Sequence, residues 1–148
     1  IAAGGIGSGR AMLAAFALGA DGVQIGSLFA ASLESSAHIN FKNAIINAEE
    51  GDTKLSLKSL VPVRLLKNEF YQQVAKAEAE GANRSELMEL LGRGRAKKGM
   101  FEGDLKEGEL EIGQIASAVH QIRPAAAILQ DIWQEFLSEK ERISNLSV

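Results

Sequence analysis

The sequence predicts an α/β fold in which part of a parallel sheet is followed by a mostly helical tail. Two observations lead to this fold class. Residues 1–27 contain two short apolar strands separated by one helix, with connections of only a few residues. Such a strand–helix–strand unit requires parallel strands. Beyond residue 51 helical periodicity dominates, and it is clearest over residues 125–143.

The first strand and helix are delimited by glycines. Residues 1–3 have the composition of a buried strand, and Gly4-Gly5 ends it. Ser8 is a suitable N-cap for a helix over residues 10–18, with Gly19 as the C′ residue. This helix is apolar on nearly every side, so we expect most of it to be buried.

The second strand and helix follow the same pattern. After the turn at Asp21-Gly22, residues 23–25 are predicted to form a strand that ends at Gly26-Ser27. The next helix is expected to begin at Glu34 or Ser35 and to end at Ala48.

The tail is predicted to be mainly helical, with one short strand and one acidic loop. Its expected elements, in order, are an irregular stretch over 53–64 with a strand at 54–57, helices over 65–80 and 85–91, a loop over 100–111, and helices over 113–121 and 125–143.

Two parallel strands do not make a stable sheet, because each leaves an unpaired edge. We therefore expect the chain to be the C-terminal part of a larger α/β protein. Residues 1–50 would be its last two βα units, and residues 51–148 a helical segment beside them.

Composition excludes several classes of site. The chain has no cysteine, which rules out disulfides, thiolate metal sites and cysteine nucleophiles. The net charge of -3 argues against nucleic-acid binding, and the basic cluster around Arg93 and Lys97 is interpreted as a solvated surface. No apolar run is long enough to span a bilayer and no signal peptide is visible, so a cytoplasmic protein is expected.

The glycines that end the two strands suggest an anion site. Parallel strands end at the same edge of a sheet, where α/β proteins bind ligands. Backbone N–H groups at a glycine turn suit a phosphate, and the last two strands of a (β/α)8 barrel commonly carry one. The alternative is a pair of tight turns that allow close packing of helix and strand. Neither G-x-G-x-x-G nor a P-loop is present in the required form.

Several blocks of sequence resemble the nitronate monooxygenase family, which includes the flavin-dependent enoyl-acyl-carrier-protein reductases II. The resemblance begins with AAGGIGSGRAMLAAFALGADGVQIGSLFAASLES at residues 2–35 and continues through His38 and Phe41-Lys42. It includes VPVRLLKNEF at residues 61–70, KKGMFEGDLKEGELEIGQ at residues 97–114 and IRPAAAI at residues 122–128.

The resemblance implies the C-terminal part of a (β/α)8 barrel that binds FMN. Gly4 and Gly5 match the glycine pair that donates N–H groups to the flavin phosphate. The family's Q-[ILM]-G-[ST] element is matched by four consecutive residues, Gln24, Ile25, Gly26 and Ser27. The family's catalytic base precedes these elements, so the catalytic residue is unknown and expected upstream of Ile1.

Other candidate residues have weaker arguments. His38 and His120 (the latter expected within a helix) are interpreted as structural, although His38 lies near the ligand-binding edge. The carboxylates at 102–111 lack a calcium-loop frame and indicate a solvated loop.

Arg64 is the better functional candidate, or else it pairs with a carboxylate. Trp133 and Phe136 are expected in the core or in a subunit contact, which leaves a homodimer open.

The leading interpretation is the C-terminal part of an FMN-dependent oxidoreductase that oxidises alkyl nitronates with dioxygen. The alternative within the family is an NAD(P)H-dependent reductase that acts on an enoyl thioester. An alternative of another class is a catalytically silent fragment or interaction module. In the first two cases the ligand is a small molecule, and this segment alone is expected to be inactive.

Overall fold

A computed structural model of the chain describes residues 1–146. The last two residues of the predicted tail, 147 and 148, lie outside the described residues. The chain begins with strand β1 (Ala2–Ala3), helix α1 (Gly9–Ala17) and strand β2 (Val23–Gln24). The two strands are parallel, with Ala2 opposite Val23 and Ala3 opposite Gln24. The predicted strand–helix–strand unit is confirmed.

Helix α1 begins where its capping residue predicts. The Ser8 side chain accepts a hydrogen bond from the backbone N–H of Ala11 at 3.1 Å, which satisfies one of the free donors of the first turn. The helix ends at Ala17, and Gly19 has the left-handed φ of 94° that the C′ position favours.

The next helical segment is shorter than predicted. A single turn, α2 (Ser27–Ala30), precedes helix α3 (Ile39–Ile46), so the helix expected from residue 34 or 35 begins several residues later. His38 is the N-cap, and its Nδ1 accepts from the N–H of Asn40 at 3.1 Å. Lys42, which is buried, donates to the carbonyls of Leu33 and Ser35 and fixes the irregular chain before the helix.

The tail contains an antiparallel sheet that was only half predicted. Strand β3 (Thr53–Ser56) corresponds to the expected short strand, but strand β4 (Val63–Leu66) occupies a stretch expected to be irregular and then helical. Helix α4 (Glu69–Ala79) begins only after Asn68, whose side chain caps it. The expected start at Leu65 is therefore wrong, because pairing with β3 holds residues 63–66 extended.

The remaining helices agree in part with the prediction. Helix α5 (Arg84–Leu91) begins at a capping box formed by Asn83 and Glu86. A π-helical turn follows at Lys97–Phe101, and the helix expected over 113–121 is only a 3-10 turn, Gln114–Ala118. His120 therefore lies outside any helix. Helix α6 (Ala125–Ser144) closely matches its prediction. In residues 1–146 no helix has the length and apolar character needed to cross a membrane.

The described chain has two apolar cores separated by the antiparallel sheet. The inner core contains Phe41 and Ile45 of α3 together with Leu66, Leu110 and Ile112. The outer core contains Leu57, Leu65, Phe70, Val74 and Leu87. Consecutive residues of β4 thus face different cores, as the two-residue period of a strand requires.

Helices α6 and α1 pack so closely that their backbones approach each other directly. A Cβ at Gly9 would overlap the backbone of α6 at Phe136, so glycine permits this close approach. The N–H of Gly9 donates to the Glu135 carboxylate at 2.6 Å, and Arg10 pairs with Glu139 at 2.7 Å. These contacts fix the last helix onto the first.

Candidate functional site

An open cleft of about 560 Å³ lies where the ends of β1 and β2 face the tail. It is lined on the sheet side by Gly4, Gly5, Gln24, Gly26 and Ser27. The tail lines it with residues 62–64 and 111–113 and with Ile115. The two glycine elements that the sequence singled out are therefore brought together, as the parallel pairing of β1 and β2 requires.

The first glycine pair has a backbone conformation that other residues adopt at a cost. Gly4 and Gly5 have φ values of 84° and 73°. A Cβ at either position would meet no atom within 4 Å, so their requirement for glycine comes from the backbone and not from packing within the protein. Both glycines line the cleft, and they also line a second cavity of about 550 Å³ beside α1.

Both glycine elements contribute free backbone donors. Within residues 1–146, the backbone N–H groups of Gly5, Gly26 and Ser27 donate to no acceptor of the protein. Backbone N–H groups normally find a partner in protein or water, so several unpaired donors around one cleft can bind an anion. Gln24 is exposed and lines the same cleft.

Ile25 is the exception among the predicted site residues. It lines a different, apolar cavity of about 290 Å³, together with Phe16 of α1, Phe29 and Trp133. Its side chain therefore packs toward the helices, since neighbouring strand residues face opposite sides. Only the backbone of Ile25 adjoins the cleft residues.

The tail closely approaches the second glycine element. A Cβ at Gly113 would stand 2.7 Å from the Ser27 hydroxyl oxygen, and one at Gly7 would stand 3.2 Å from the Ile115 side chain. The sequence did not identify Gly113 as a site residue. Its only signal is its place in the GELEIGQ block.

Arg64 extends from β4 and lines the cleft. Its Nη1 donates to the carbonyl and hydroxyl oxygens of Thr53 at 3.2 and 3.3 Å. The expected alternative, a pairing with a carboxylate, does not occur among residues 1–146, where no Asp or Glu lies within 4.0 Å of its guanidinium. Arg64 thus adds a positive charge to the cleft.

The two histidines do not line the glycine cleft. His38 caps α3, and its ring lies so close to Gly103 that a side chain at 103 would overlap it. This agrees with the structural role expected of it. His120 is exposed and lines a separate cavity of about 530 Å³ beside α6.

The acidic stretch from Glu102 to Glu111 is organised by its own hydrogen bonds. Backbone donation from Glu107 and the Lys98 side chain lower the pKa of Asp104. Glu109 is buried, and this burial, with some repulsion from Glu111, raises its pKa to about 7. Across residues 1–146, no three His, Asp or Glu side chains are grouped so that they could hold a metal ion.

Comparison with known proteins identifies the family. The sequence model described as nitronate monooxygenase matches residues 1–135. A probable nitronate monooxygenase of Staphylococcus aureus (strain Newman) is 41% identical over 81 residues, which are 54% of this chain and 23% of that protein.

Two solved structures are similar over nearly the whole chain. FabK from Thermotoga maritima is 37% identical with a TM-score of 0.87, covering 96% of this chain and 45% of FabK. A nitroalkane oxidase from Streptomyces ansochromogenes is 27% identical with a TM-score of 0.71, covering 95% of this chain and 40% of the oxidase. The chain thus spans less than half the length of these relatives. Since the family match extends over residues 1–135 and both structures share the fold, the chain belongs to the nitronate monooxygenase family.

Proposed function

We propose that this chain supplies the flavin-phosphate site of an FMN-dependent oxidoreductase. The observation that carries the proposal is the meeting of Gly4-Gly5 and Gly26-Ser27 at one cleft, where the N–H groups of Gly5, Gly26 and Ser27 donate to no acceptor within residues 1–146. In this proposal residues 1–50 are the last two βα units of a (β/α)8 barrel, and the tail packs beside its mouth.

The residues present fit a phosphate group. The left-handed glycines leave room that a Cβ would reduce, and N–H donors are the ligands that phosphate oxygens accept. The Ser27 hydroxyl adds a further donor next to the N–H of its own residue. Gln24 would contact the ribityl chain or the ring edge through its amide, since it lines the same cleft.

In this arrangement the residues of the chain bind and orient the cofactor. The bound flavin would supply the electron-transfer chemistry, which no amino-acid side chain provides. The glycine elements would fix the phosphate end, and the tail segment around Gly113 approaches Ser27 closely and would hold it in place. The proton-transfer residue is proposed to come from sequence preceding Ile1, because neither histidine of this chain reaches the cleft.

Two substrate classes are consistent with the family. Nitronate oxidation with dioxygen is the leading proposal, supported by the family match and by the curated relative. The second candidate is NAD(P)H-dependent reduction of an enoyl thioester. The similarity to FabK favours this candidate, because FabK has a higher TM-score and a higher sequence identity to this chain than the nitroalkane oxidase has.

The test begins with the colour of the full-length protein. Purified protein should be yellow and release FMN on denaturation, identified by its retention time and phosphate content. A colourless, flavin-free preparation that does not take up added FMN would overturn the proposal. Oxygen consumption with propyl nitronate, compared with NAD(P)H oxidation with crotonyl thioester, then separates the two substrate classes.

A catalytically silent module makes a different prediction for the isolated 148 residues. Flavin titration of this segment should show weak binding or none under our proposal, because most of the pocket would come from the preceding sequence. The full-length protein should bind FMN tightly under the same conditions. If it binds no better than the segment, the silent module becomes the better description.

A further inference from the structure

Strand alternation places Arg64 on the inner face of the antiparallel sheet. Leu65 pairs with Glu111, and the N–H of Ile112 donates to the Arg64 carbonyl at 3.1 Å, so Arg64 lies opposite Ile112. Leu66 and Ile112 belong to the inner core, whereas Leu65 belongs to the outer core. Arg64 therefore shares the face that adjoins the inner core and opens onto the glycine cleft.

The Arg64 guanidinium is anchored but not neutralised. Thr53 accepts two hydrogen bonds from Nη1, and these leave Nε and Nη2 for another partner. Four other arginines of the described chain, Arg10, Arg95, Arg123 and Arg142, pair with a carboxylate within 4.0 Å, whereas Arg84 and Arg93, like Arg64, do not. An arginine held at one end with its remaining donors free is suited to a ligand that accepts two hydrogen bonds.

The charges around the cleft give Arg64 a specific role. Among the residues that line the cleft, Arg64 is the one cation and Glu111 the one carboxylate. The glycine N–H groups carry only partial charges, whereas a phosphate monoester carries up to two negative charges. Without a full positive charge, the charge of a phosphate bound in the cleft would be balanced by peptide dipoles alone.

We propose that Arg64 is the residue by which the cleft distinguishes a phosphorylated flavin from an unphosphorylated one. This inference rests on the proposed function and extends it, because it assigns cofactor specificity to the tail. The glycine elements would accept either flavin by shape, and Arg64 would favour FMN over riboflavin by charge. Arg64 is a binding residue in this account and takes no part in the reaction.

The experiment compares two flavins that differ only in the phosphate. Dissociation constants for FMN and riboflavin are measured by flavin fluorescence on the deflavinated full-length protein. Arg64→Met should weaken FMN binding roughly 10- to 100-fold, the range expected for a charged hydrogen bond. It should leave riboflavin binding within about twofold. Arg64→Lys, which keeps the charge and loses the planar fork, should recover part of the loss.

Two control variants separate charge from folding. Arg84→Met removes an arginine that also donates to a carbonyl, that of Ser59 at 2.9 Å, but does not line the cleft. Thr53→Val removes the hydroxyl acceptor of Arg64 and leaves its charge in place. Both should retain a preference for FMN close to that of the unaltered protein.

Salt dependence provides a second measurement that needs no variant. Affinity for FMN should fall with added salt more steeply than affinity for riboflavin, because salt screens the guanidinium. Equal salt dependence for the two flavins would overturn the inference. So would an Arg64→Met protein that binds FMN normally, or one that loses both flavins equally. If the unaltered protein binds neither flavin, the proposed function fails first and this inference fails with it.

Discussion

The hydroxyl oxygen of Ser27 lies 2.7 Å from the point where a Cβ on residue 113 would stand. A tail backbone thus passes over the second glycine element so closely that only glycine fits without a shift. Gly113→Ala should push Ser27 or the tail aside and weaken FMN binding by the full-length protein, measured by flavin fluorescence. Gly113→Ala combined with Ser27→Gly should relieve the clash. If Gly113→Ala binds FMN with unchanged affinity, the tail at residue 113 does not contribute to the cofactor site.

Gly5→Asp should abolish FMN retention by the full-length protein. The substitution would place a negative charge on a residue that lines the cleft, and this charge would repel the phosphate. The absorbance ratio of bound flavin to protein after gel filtration measures the effect.

Gly51→Asp is the matched control for Gly5→Asp. Gly51 has a φ of 89°, and a Cβ at this position would meet no atom within 4 Å. Because Gly51 also lies outside the cleft, the variant carries the same backbone strain and the same charge away from the site. Its flavin content should stay normal. Equal flavin loss in both variants would assign the effect to strain alone.

Gly9→Ala should destabilise the packing of α1 on α6. The added methyl group would overlap the backbone of α6 near Phe136, and overpacking of this kind costs about 1–3 kcal/mol. Urea unfolding, followed by circular dichroism, should show a lower midpoint. Gly26→Ala is the control, because its Cβ would meet no atom within 4 Å and its φ is negative. Equal midpoints for the two variants would contradict the close approach.

Glu109 should make the chain less stable as pH rises. Burial, with repulsion from Glu111, raises its folded-state pKa to about 7, above the value near 4.5 of an unperturbed glutamate. The folded state therefore binds the proton more tightly than the unfolded state, and the free energy of unfolding falls as pH increases from about 4.5 through 7.

Glu109→Gln should remove this part of the pH dependence. The difference amounts to about 1–3 kcal/mol between pH 5 and 8, because one pKa unit corresponds to about 1.4 kcal/mol. Urea unfolding at both pH values measures it. Glu102→Gln, on the exposed surface, is the control. An unchanged slope in Glu109→Gln would show that the carboxylate is solvated in the folded state.

Local chemistry explains what the sequence could predict. Ser8 caps the helix it was expected to cap, since a cap depends on side chains within three residues. The two glycine elements meet because parallel pairing alone brings strand ends together. The prediction of the glycine cleft needed no knowledge of the rest of the chain.

Features that depend on distant contacts were missed. The apolar run at Val63–Leu66 suits a helix as well as a strand, and its pairing with β3 decides the outcome. The position of Arg64 depends on that pairing and on the bridge from Leu65 to Glu111, which lies 46 residues further along the chain. Ile25 belongs to the predicted site as part of a motif, and it lines another cavity, so a contribution of its backbone to the site stays a prediction.

Because the two cores lie on either side of the antiparallel sheet, we expect them to open to solvent separately and at different rates. The outer core is built from Leu57, which directly follows β3, and from β4, α4 and α5, and these segments follow one another in sequence and can unfold together as one cooperative unit. Amide hydrogens of α4 and α5 should then exchange with solvent as a group, at a rate different from that of α3. Since β4 belongs to both cores, such an opening would reach Arg64 and loosen the cleft from the side of the tail. Occupancy of the cleft should in turn slow exchange in α4, more than 60 residues along the chain from Gly5.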